Sequence, residues 1–177
     1  MARVKQVNNS RKEHVCGRGN HPIPKGESYL TASPGYRGRP KYRCVKHPFR
    51  PSELTTSAAS EPMAAVEAFE DAASVGFDTH EDLESAWDEL RSAVEEYQQT
   101  RESALEAWEN GNSQLEEYAE TANAAVDEVD GFAVESFDDE EPSATDEEAW
   151  EEWDQARIAH LSEQTDEALS VAGSLEF

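Results

Sequence analysis

The chain has 177 residues, of which 37% are hydrophobic and 31% are charged, and its formal net charge is −24. This length fits one or two small domains, and the hydrophobic fraction is below the usual level for a globular domain. No apolar run reaches the roughly 18 residues of a membrane helix, and no apolar stretch follows the basic N-terminal residues, so we expect neither a membrane span nor a secretory signal. The expected location is intracellular, where cysteines are typically reduced thiols or metal ligands.

Charge divides the chain into two parts. Residues 1–51 hold 12 of the 15 Lys and Arg and 2 of the 39 acidic residues, a net charge of +10. Residues 52–177 hold the other 3 basic and 37 acidic residues, a net charge of −34. Such asymmetry predicts two modules with different partners.

The basic module contains both cysteines, each paired with a histidine. Cys16 and His21 form C-x4-H, and Cys44 and His47 form C-x2-H. Structural zinc sites draw four N or S ligands from two such pairs, and a module of about 50 residues with few large apolar side chains needs such a cross-link to fold. We therefore predict a zinc ion on these four residues. Free thiols, a disulfide, surface histidines and His14 as a competing ligand remain alternatives.

Between the two pairs, the sequence predicts a β-hairpin. Residues 28–31 and 41–43 read as short strands, and "SPGYRG" supplies the Pro and Gly of a turn. A Gly-rich knuckle, a hairpin and a second ligand pair before a helix resemble a treble-clef zinc finger. The predicted fold class is therefore α+β, with a treble-clef-like zinc module followed by an antiparallel helical hairpin or a three-helix acidic module.

Basic residues alternate along the predicted hairpin, which places them on one face of a strand. With Tyr36 and Tyr42 nearby, they suggest salt-dependent binding of DNA or RNA phosphates with stacking on bases. The alternative is that these charges pair with the acidic part of the same chain. The residues concerned are Arg37, Arg39, Lys41 and Arg43.

The sequence contains no recognisable catalytic set. A catalytic zinc needs an open coordination position and a nearby base, and the acids of the basic module are Glu13 and Glu27. A treble-clef nuclease would also need a histidine beyond the ligands, for which His14 is the one candidate. We therefore expect a protein that is not an enzyme.

Residues 52–133 predict an acidic helical module. A helix over 52–74 is kinked or split by Pro62, and Asp78 with Glu81, or Thr79 with Asp82, caps the next one. That helix is predicted to end at Gly111. Another helix from Ser113 is predicted to pair with it as an antiparallel hairpin, in which small Ala residues of the second helix allow Trp87 and Trp108 to pack closely. The predicted stripe of the first helix is Leu83, Trp87, Leu90, Val94, Tyr97, Arg101, Ala104 and Trp108, and that of the second is Leu115, Tyr118, Ala122, Val126, Val129 and Phe132 or Ala133.

An acidic linker is predicted at 134–144 and an amphipathic helix at 145–177, capped by Thr145 with Glu148. This last helix is either a third helix of the module or a segment that docks on a partner. His80 and His160 are expected at the surface. Three explanations fit the acidity: adaptation to high salt, as in halophilic archaeal proteins, which we favour; binding of a basic partner or mimicry of nucleic acid; and solubility of exposed helix faces.

Several short motifs resemble a family of small zinc-finger and acidic-helix proteins encoded by tailed viruses, of bacteriophage or haloarchaeal virus type. They are "MARVK" at 1–5, "IPKGESY" at 23–29, "SPGYRG" at 33–38, "EDLESAWDEL" at 81–90 and the segment 104–130. Relatives usually carry C-x2-C at the knuckle, where this chain has Gly19 in place of the second cysteine. The resemblance implies a zinc fold and a viral origin rather than a reaction, and it implies a location in the host cytoplasm or the virion. Together with the residues, it suggests an accessory or adaptor protein whose basic module contacts nucleic acid and whose acidic helices bind protein or self-associate. The alternative is a virion or assembly component that docks through its helices.

Overall fold

The computed structural model describes all residues except 36–37, 109–110 and 144–146. In the described residues the fold is α+β, with two small antiparallel sheets and four α-helices, so the predicted fold class is confirmed at this level. The chain divides into two compact units, Met1–Ala64 and Ala65–Phe177. The predicted boundary at residue 51 stays a prediction.

The first unit contains five short strands. Strands β1, β4 and β5 form one antiparallel sheet in that order, and β2 and β3 form a second sheet. The predicted hairpin is β4 and β5, whereas β1 to β3 were not predicted because two or three residues carry no readable periodicity. The bounds are β1 Lys5–Val7, β2 His14–Val15, β3 Pro22–Ile23, β4 Tyr29–Ala32 and β5 Lys41–Cys44.

The register of the larger sheet places two tyrosines on one face. Thr31 lies opposite both Lys5 and Tyr42, and Tyr29 lies opposite Cys44. Because side chains alternate between faces, Tyr29 and Tyr42 are diagonal neighbours on the same face.

The prediction of one helix over 52–74 is wrong. Residues Pro51–Leu54 form a single 3-10 turn, and the helix α1 spans Ser60–Val75. Pro62 neither kinks nor splits α1, because it lies in the first turn, where its missing N–H has no intrahelical acceptor to lose.

The second unit is built from longer helices, α2 His80–Glu106, α3 Ser113–Asp130 and α4 Glu147–Ser174. The second of the two predicted caps of α2 is confirmed: the Asp82 N–H donates to the Thr79 hydroxyl oxygen, and the Thr79 N–H donates to the Asp82 carboxylate. Asn112 caps α3 by accepting from the N–H groups of Gln114 and Leu115. The predicted cap Thr145 lies outside the described residues.

The core of the second unit combines residues from all three long helices with Phe69 and Phe132. The Trp87 indole N–H donates to the Val129 carbonyl oxygen at 3.3 Å, and the Gln98 amide donates to the Asn123 side chain at 2.7 Å. The helix α4 adds Leu161, Ala168 and Ala172 to this core, so it is packed there rather than free.

Two predictions for α2 need correction. The helix ends at Glu106 rather than at Gly111, and its apolar stripe is buried only as far as Tyr97, because Trp108 lies beyond the helix and is 53% exposed. Beyond Tyr97 the Arg101 guanidinium lies 4.8 Å from the Tyr97 ring and 5.1 Å from the Tyr118 ring, so a cation occupies the position of an apolar contact.

The predicted acidic linker also contacts the last helix. The Glu135 N–H donates to Gln164, and the Trp153 indole N–H donates to the Asp139 carbonyl oxygen at 3.1 Å. None of the described helices is long and apolar enough to cross a membrane.

Candidate metal centre

The knuckle between β2 and β3 holds the first Cys/His pair. The Cys16 N–H donates to the His21 carbonyl oxygen at 2.9 Å, and the Asn20 N–H donates to the Cys16 carbonyl oxygen at 2.8 Å. Asn20 has a φ of 47°, a left-handed conformation that asparagine tolerates better than most residues. This tight turn folds the chain back so that Cys16 and His21 lie next to each other.

The end of β5 supplies the second pair. The His47 N–H donates to the Cys44 carbonyl oxygen at 3.0 Å, which closes a turn and brings the two side chains together. The Cys44 N–H also donates to the Cys16 sulfur at 3.4 Å. The backbone of the second pair therefore contacts the first pair directly.

The four predicted ligands form one cluster. Their ligand atoms all lie within 4.8 Å of one another. The Nδ1 atom of His47 is 3.4 Å from the Cys44 sulfur and 3.6 Å from the Cys16 sulfur. A tetrahedral ion with metal–sulfur bonds of about 2.3 Å and metal–nitrogen bonds of about 2.05 Å implies a sulfur–nitrogen separation of about 3.6 Å. The cluster can therefore hold a metal ion.

Gly19 provides the space in which the two imidazoles meet. A Cβ atom at this position would lie 2.5 Å from Nδ1 of His21 and 2.7 Å from Cε1 of His47. Both distances are too short for nonbonded atoms, so a side chain at position 19 would require His21 or His47 to shift.

The electrostatics at Cys16 favour a thiolate. Burial raises the pKa of the Cys16 thiol, but the N–H groups of Cys44, Gly19 and Arg18, together with His47, outweigh it and lower this pKa to about 6. Thiolates are the form of cysteine that binds metals. The site therefore presents its buried sulfur in the ligating form near neutral pH.

His14 is not among these ligands. Its ring stacks on Tyr42 with the centroids 4.0 Å apart, and it also contacts Tyr29 at 4.7 Å. The alternative in which His14 competes for the metal finds no support in the geometry.

The basic residues that were predicted to share one exposed face of the hairpin are not all exposed. Arg39 and Lys41 are exposed, and Arg37 lies outside the described residues. Arg43 is 7% exposed, its guanidinium forms an ion pair with Glu53, and it lies 5.3 Å from the centroid of the Phe49 ring. The prediction that Arg43 offers its charge to a phosphate is therefore corrected.

The Arg43–Glu53 pair also affects the carboxylate. Burial raises the pKa of Glu53, but the hydrogen bond from Arg43 and the one from the Arg50 N–H outweigh it, so the pKa lies below its usual range. Glu53 is therefore charged and holds the 3-10 turn against β5.

The helical unit contains a contact between two histidines that the sequence did not predict. Nε2 of His80 lies 2.8 Å from Nδ1 of His160, although both were expected to be ordinary surface residues. These residues are 80 positions apart, and no spacing pattern relates them.

The fold and the cluster define a small α+β protein with a Cys2His2-like group able to hold a metal ion. Comparisons with protein-family models, with curated proteins and with solved structures find no match to the chain.

Proposed function

We propose that this chain is a non-enzymatic, zinc-stabilised accessory or adaptor protein, whose basic unit contacts nucleic acid and whose acidic helices contact protein. The observation that carries the proposal is the cluster of Cys16, His21, Cys44 and His47, with sulfur–nitrogen separations of 3.4 and 3.6 Å. Two thiolates with two imidazoles are a donor set that suits zinc among divalent metals.

A structural role for the ion follows from its ligand number and its surroundings. Four protein ligands complete a tetrahedral shell and leave no position for a reacting water, which argues against the nuclease alternative. Among the described residues of the first unit, Ile23 is the one large aliphatic side chain that is fully buried. A zinc ion contributes on the order of 10–16 kcal/mol in apparent binding free energy, enough to fold such a unit.

The finer fold assignment is also a proposal. The order of knuckle, β4–β5 hairpin, second ligand pair and α1 supports a treble-clef-like module, although α1 begins at Ser60, well after His47. The contacts of Trp87 with Val129 and of Gln98 with Asn123 support an acidic helical hairpin of α2 and α3. Together with the family resemblance, this architecture supports a viral origin.

Nucleic-acid contact is supported by exposed positive charge. Arg39 and Lys41 remain exposed on the hairpin, and residues 1–51 carry a net charge of +10. The rest of the chain is acidic, so the positive charge of residues 1–51 requires a separate explanation. Binding of a polyanion provides one. Titration of the full chain with labelled DNA and RNA at several salt concentrations tests this; an affinity that does not fall with salt would exclude it.

A second candidate, a virion or assembly component that docks through its helices, is favoured by exposed apolar residues of the helical unit. Trp108 and Ile158 are each 53% exposed, so a partner would have two large apolar side chains to cover. Co-purification with virions would favour this candidate over the adaptor.

We further propose that the acidity of the helices is an adaptation to high salt. Circular dichroism at low and at multimolar salt tests this proposal. A helical unit that is fully folded in dilute buffer would contradict it.

The decisive experiment is the metal content of the purified full-length protein, measured by plasma mass spectrometry. We expect about one zinc per chain, and we expect Cys16→Ser and His47→Gln to lose it, because each removes one of four ligands. His14→Gln is the matched control, since this histidine lies in the same unit but stacks on Tyr42, and it should retain the zinc. Metal-free protein with a folded first unit would overturn the proposal.

A further inference from the structure

Three rings from three different strands meet on one face of the first unit. His14 of β2 stacks on Tyr42 of β5 at 4.0 Å, and Tyr29 of β4 meets the Tyr42 ring edge-on at 5.7 Å. None of the three is fully buried. Because all three side chains are partly exposed, a ligand can reach the ring cluster.

The rings line a cleft that also has a basic edge. We call it the aromatic cleft; its volume is about 440 Å³, which lies in the range typical of ligand sites. Arg11 and Lys12 are exposed at its edge. The lining residues are Val7, Asn9, Arg11, Lys12, His14, Tyr29 and Tyr42.

The basic edge is held in place by the backbone. Ser10 is buried, its N–H donates to the Glu27 carbonyl oxygen at 2.9 Å, and its carbonyl oxygen accepts from the Gly26 N–H at 2.8 Å. Its hydroxyl donates to the Lys12 carbonyl oxygen. The segment that carries Arg11 and Lys12 is therefore ordered before any ligand binds, which lowers the entropy cost of binding.

We infer that the aromatic cleft binds a base of single-stranded nucleic acid, with the neighbouring phosphates on Arg11 and Lys12. Stacking rings beside cationic side chains are the chemistry by which proteins hold single strands, whereas paired bases in a duplex keep their faces covered. The inference rests on the proposed nucleic-acid contact and gives it a ligand class and a place. That place differs from the hairpin residues Arg39 and Lys41, which offer charge without rings.

The test compares three labelled ligands on the full-length, zinc-loaded protein by fluorescence anisotropy at several salt concentrations. They are an oligothymidylate of roughly 12 nucleotides, an abasic strand of the same length, and a duplex of the same length. We expect the oligothymidylate to bind about tenfold more tightly than the abasic strand, since stacking requires a base. Equal affinity for all three would overturn the inference and leave the proposed function intact. Absence of salt-dependent binding to any of them would overturn both.

Variants locate the effect in the aromatic cleft. Tyr42→Leu should reduce the affinity for oligothymidylate to about that for the abasic strand, while Tyr42→Phe, which keeps the ring, should bind as the wild type does. Tyr29→Leu provides a second test if Tyr42→Leu loses its zinc. Wild-type affinity in a leucine variant that retains zinc would contradict the inference.

Charge variants test the basic edge separately. The double variant Arg11→Gln with Lys12→Gln should weaken binding of both single strands and lower the magnitude of the salt slope by about 1.4, because each phosphate contact to a single strand contributes about 0.7. The control Arg3→Gln with Lys46→Gln removes the same charge at exposed residues outside the cleft and should change the slope less. Equal effects of the two double variants would rule out a phosphate site at this edge.

Discussion

The two units bury different kinds of residue, although they belong to one chain. The helical unit encloses Trp87, Leu83, Leu90 and Val94 almost completely, in a core to which three long helices contribute. In the first unit, the largest fully buried side chains are Ile23, Pro62, Cys16 and Ser10. The comparison indicates that burial stabilises the helical unit, whereas the first unit buries less and is the unit that the proposed metal ion would stabilise.

The opposite charges of the two units fit this difference. Long helices tolerate an acidic surface because their apolar faces are buried together. A small sheet with little core gains no stability from the ten excess positive charges of residues 1–51, which is why we propose a polyanionic ligand for them.

Removal of the metal should have the largest effect and should separate the two units. With a chelator such as EDTA, we expect the first unit to unfold, because about 10 kcal/mol or more of its stability comes from the ion. All four tryptophans lie after residue 64, so tryptophan fluorescence reports on the helical unit alone and should remain native. Amide hydrogen exchange of residues 1–64 provides the readout of the first unit, since its backbone protection should be lost when the metal is removed. Loss of both signals together would show that the units do not fold separately.

A core substitution should destabilise the helical unit and leave the metal content of the first unit unchanged. Trp87→Ala should destabilise the helical unit by about 3–5 kcal/mol, because it removes a fully buried indole that packs on Phe69 and Phe132 and donates to Val129. Urea denaturation followed by circular dichroism measures this effect. Trp108→Ala is the matched control and should change stability by less than about 1 kcal/mol, since Trp108 is largely exposed. Zinc content should stay unchanged in both variants.

Substitution of Gly19 should weaken the metal site without removing a ligand. We expect Gly19→Ala to reduce zinc affinity by about tenfold or more, because its Cβ would displace His21 or His47 from the cluster. Competition with a chromophoric chelator measures the affinity. Gly26→Ala is a useful contrast: no atom lies within 4 Å of its Cβ, so only backbone strain at a φ of 95° is added, and zinc affinity should change less.

Acidification should act on the helical unit through His80, with a smaller effect. Burial, followed by the charges of His160 and Arg157, lowers the pKa of His80 in the folded protein. In the unfolded chain His80 has a pKa of about 6.5, so it binds a proton more readily there than in the folded protein. The free energy of unfolding therefore decreases as the pH falls below about 6.5, until the pH is below the folded pKa. Urea denaturation at about pH 7.5 and pH 5 should show this loss, and His80→Gln should reduce it. An identical pH dependence in both proteins would contradict the assignment.

Much of the local structure could be predicted because it depends on neighbours in the sequence. Thr79 and Asp82 form a cap three residues apart, and Leu83 to Tyr97 form a helical stripe of period 3.5. The two Cys/His pairs were recognised in the same way, from spacings of two and four residues within each pair.

The remaining errors share a cause, which is contact between residues far apart in the chain. Period-2 alternation placed Arg43 on an exposed face, but Glu53 on the following 3-10 turn covers it. The stripe of α2 extended in sequence to Trp108, but the packed face stops at Tyr97, where Arg101 lies between two rings. Periodicity gives the direction of a side chain and not the element that covers it.

The sequence alone determined the α+β class, the uneven charge, and the four residues with metal-binding chemistry. The tertiary structure decided that these four side chains meet and that Gly19 leaves space for the rings of His21 and His47. It also decided that His14 stacks on Tyr42 instead of joining the cluster. The physical reason is that ligand chemistry resides in single residues, whereas a site requires a register and a turn geometry that bring distant residues within a few ångströms.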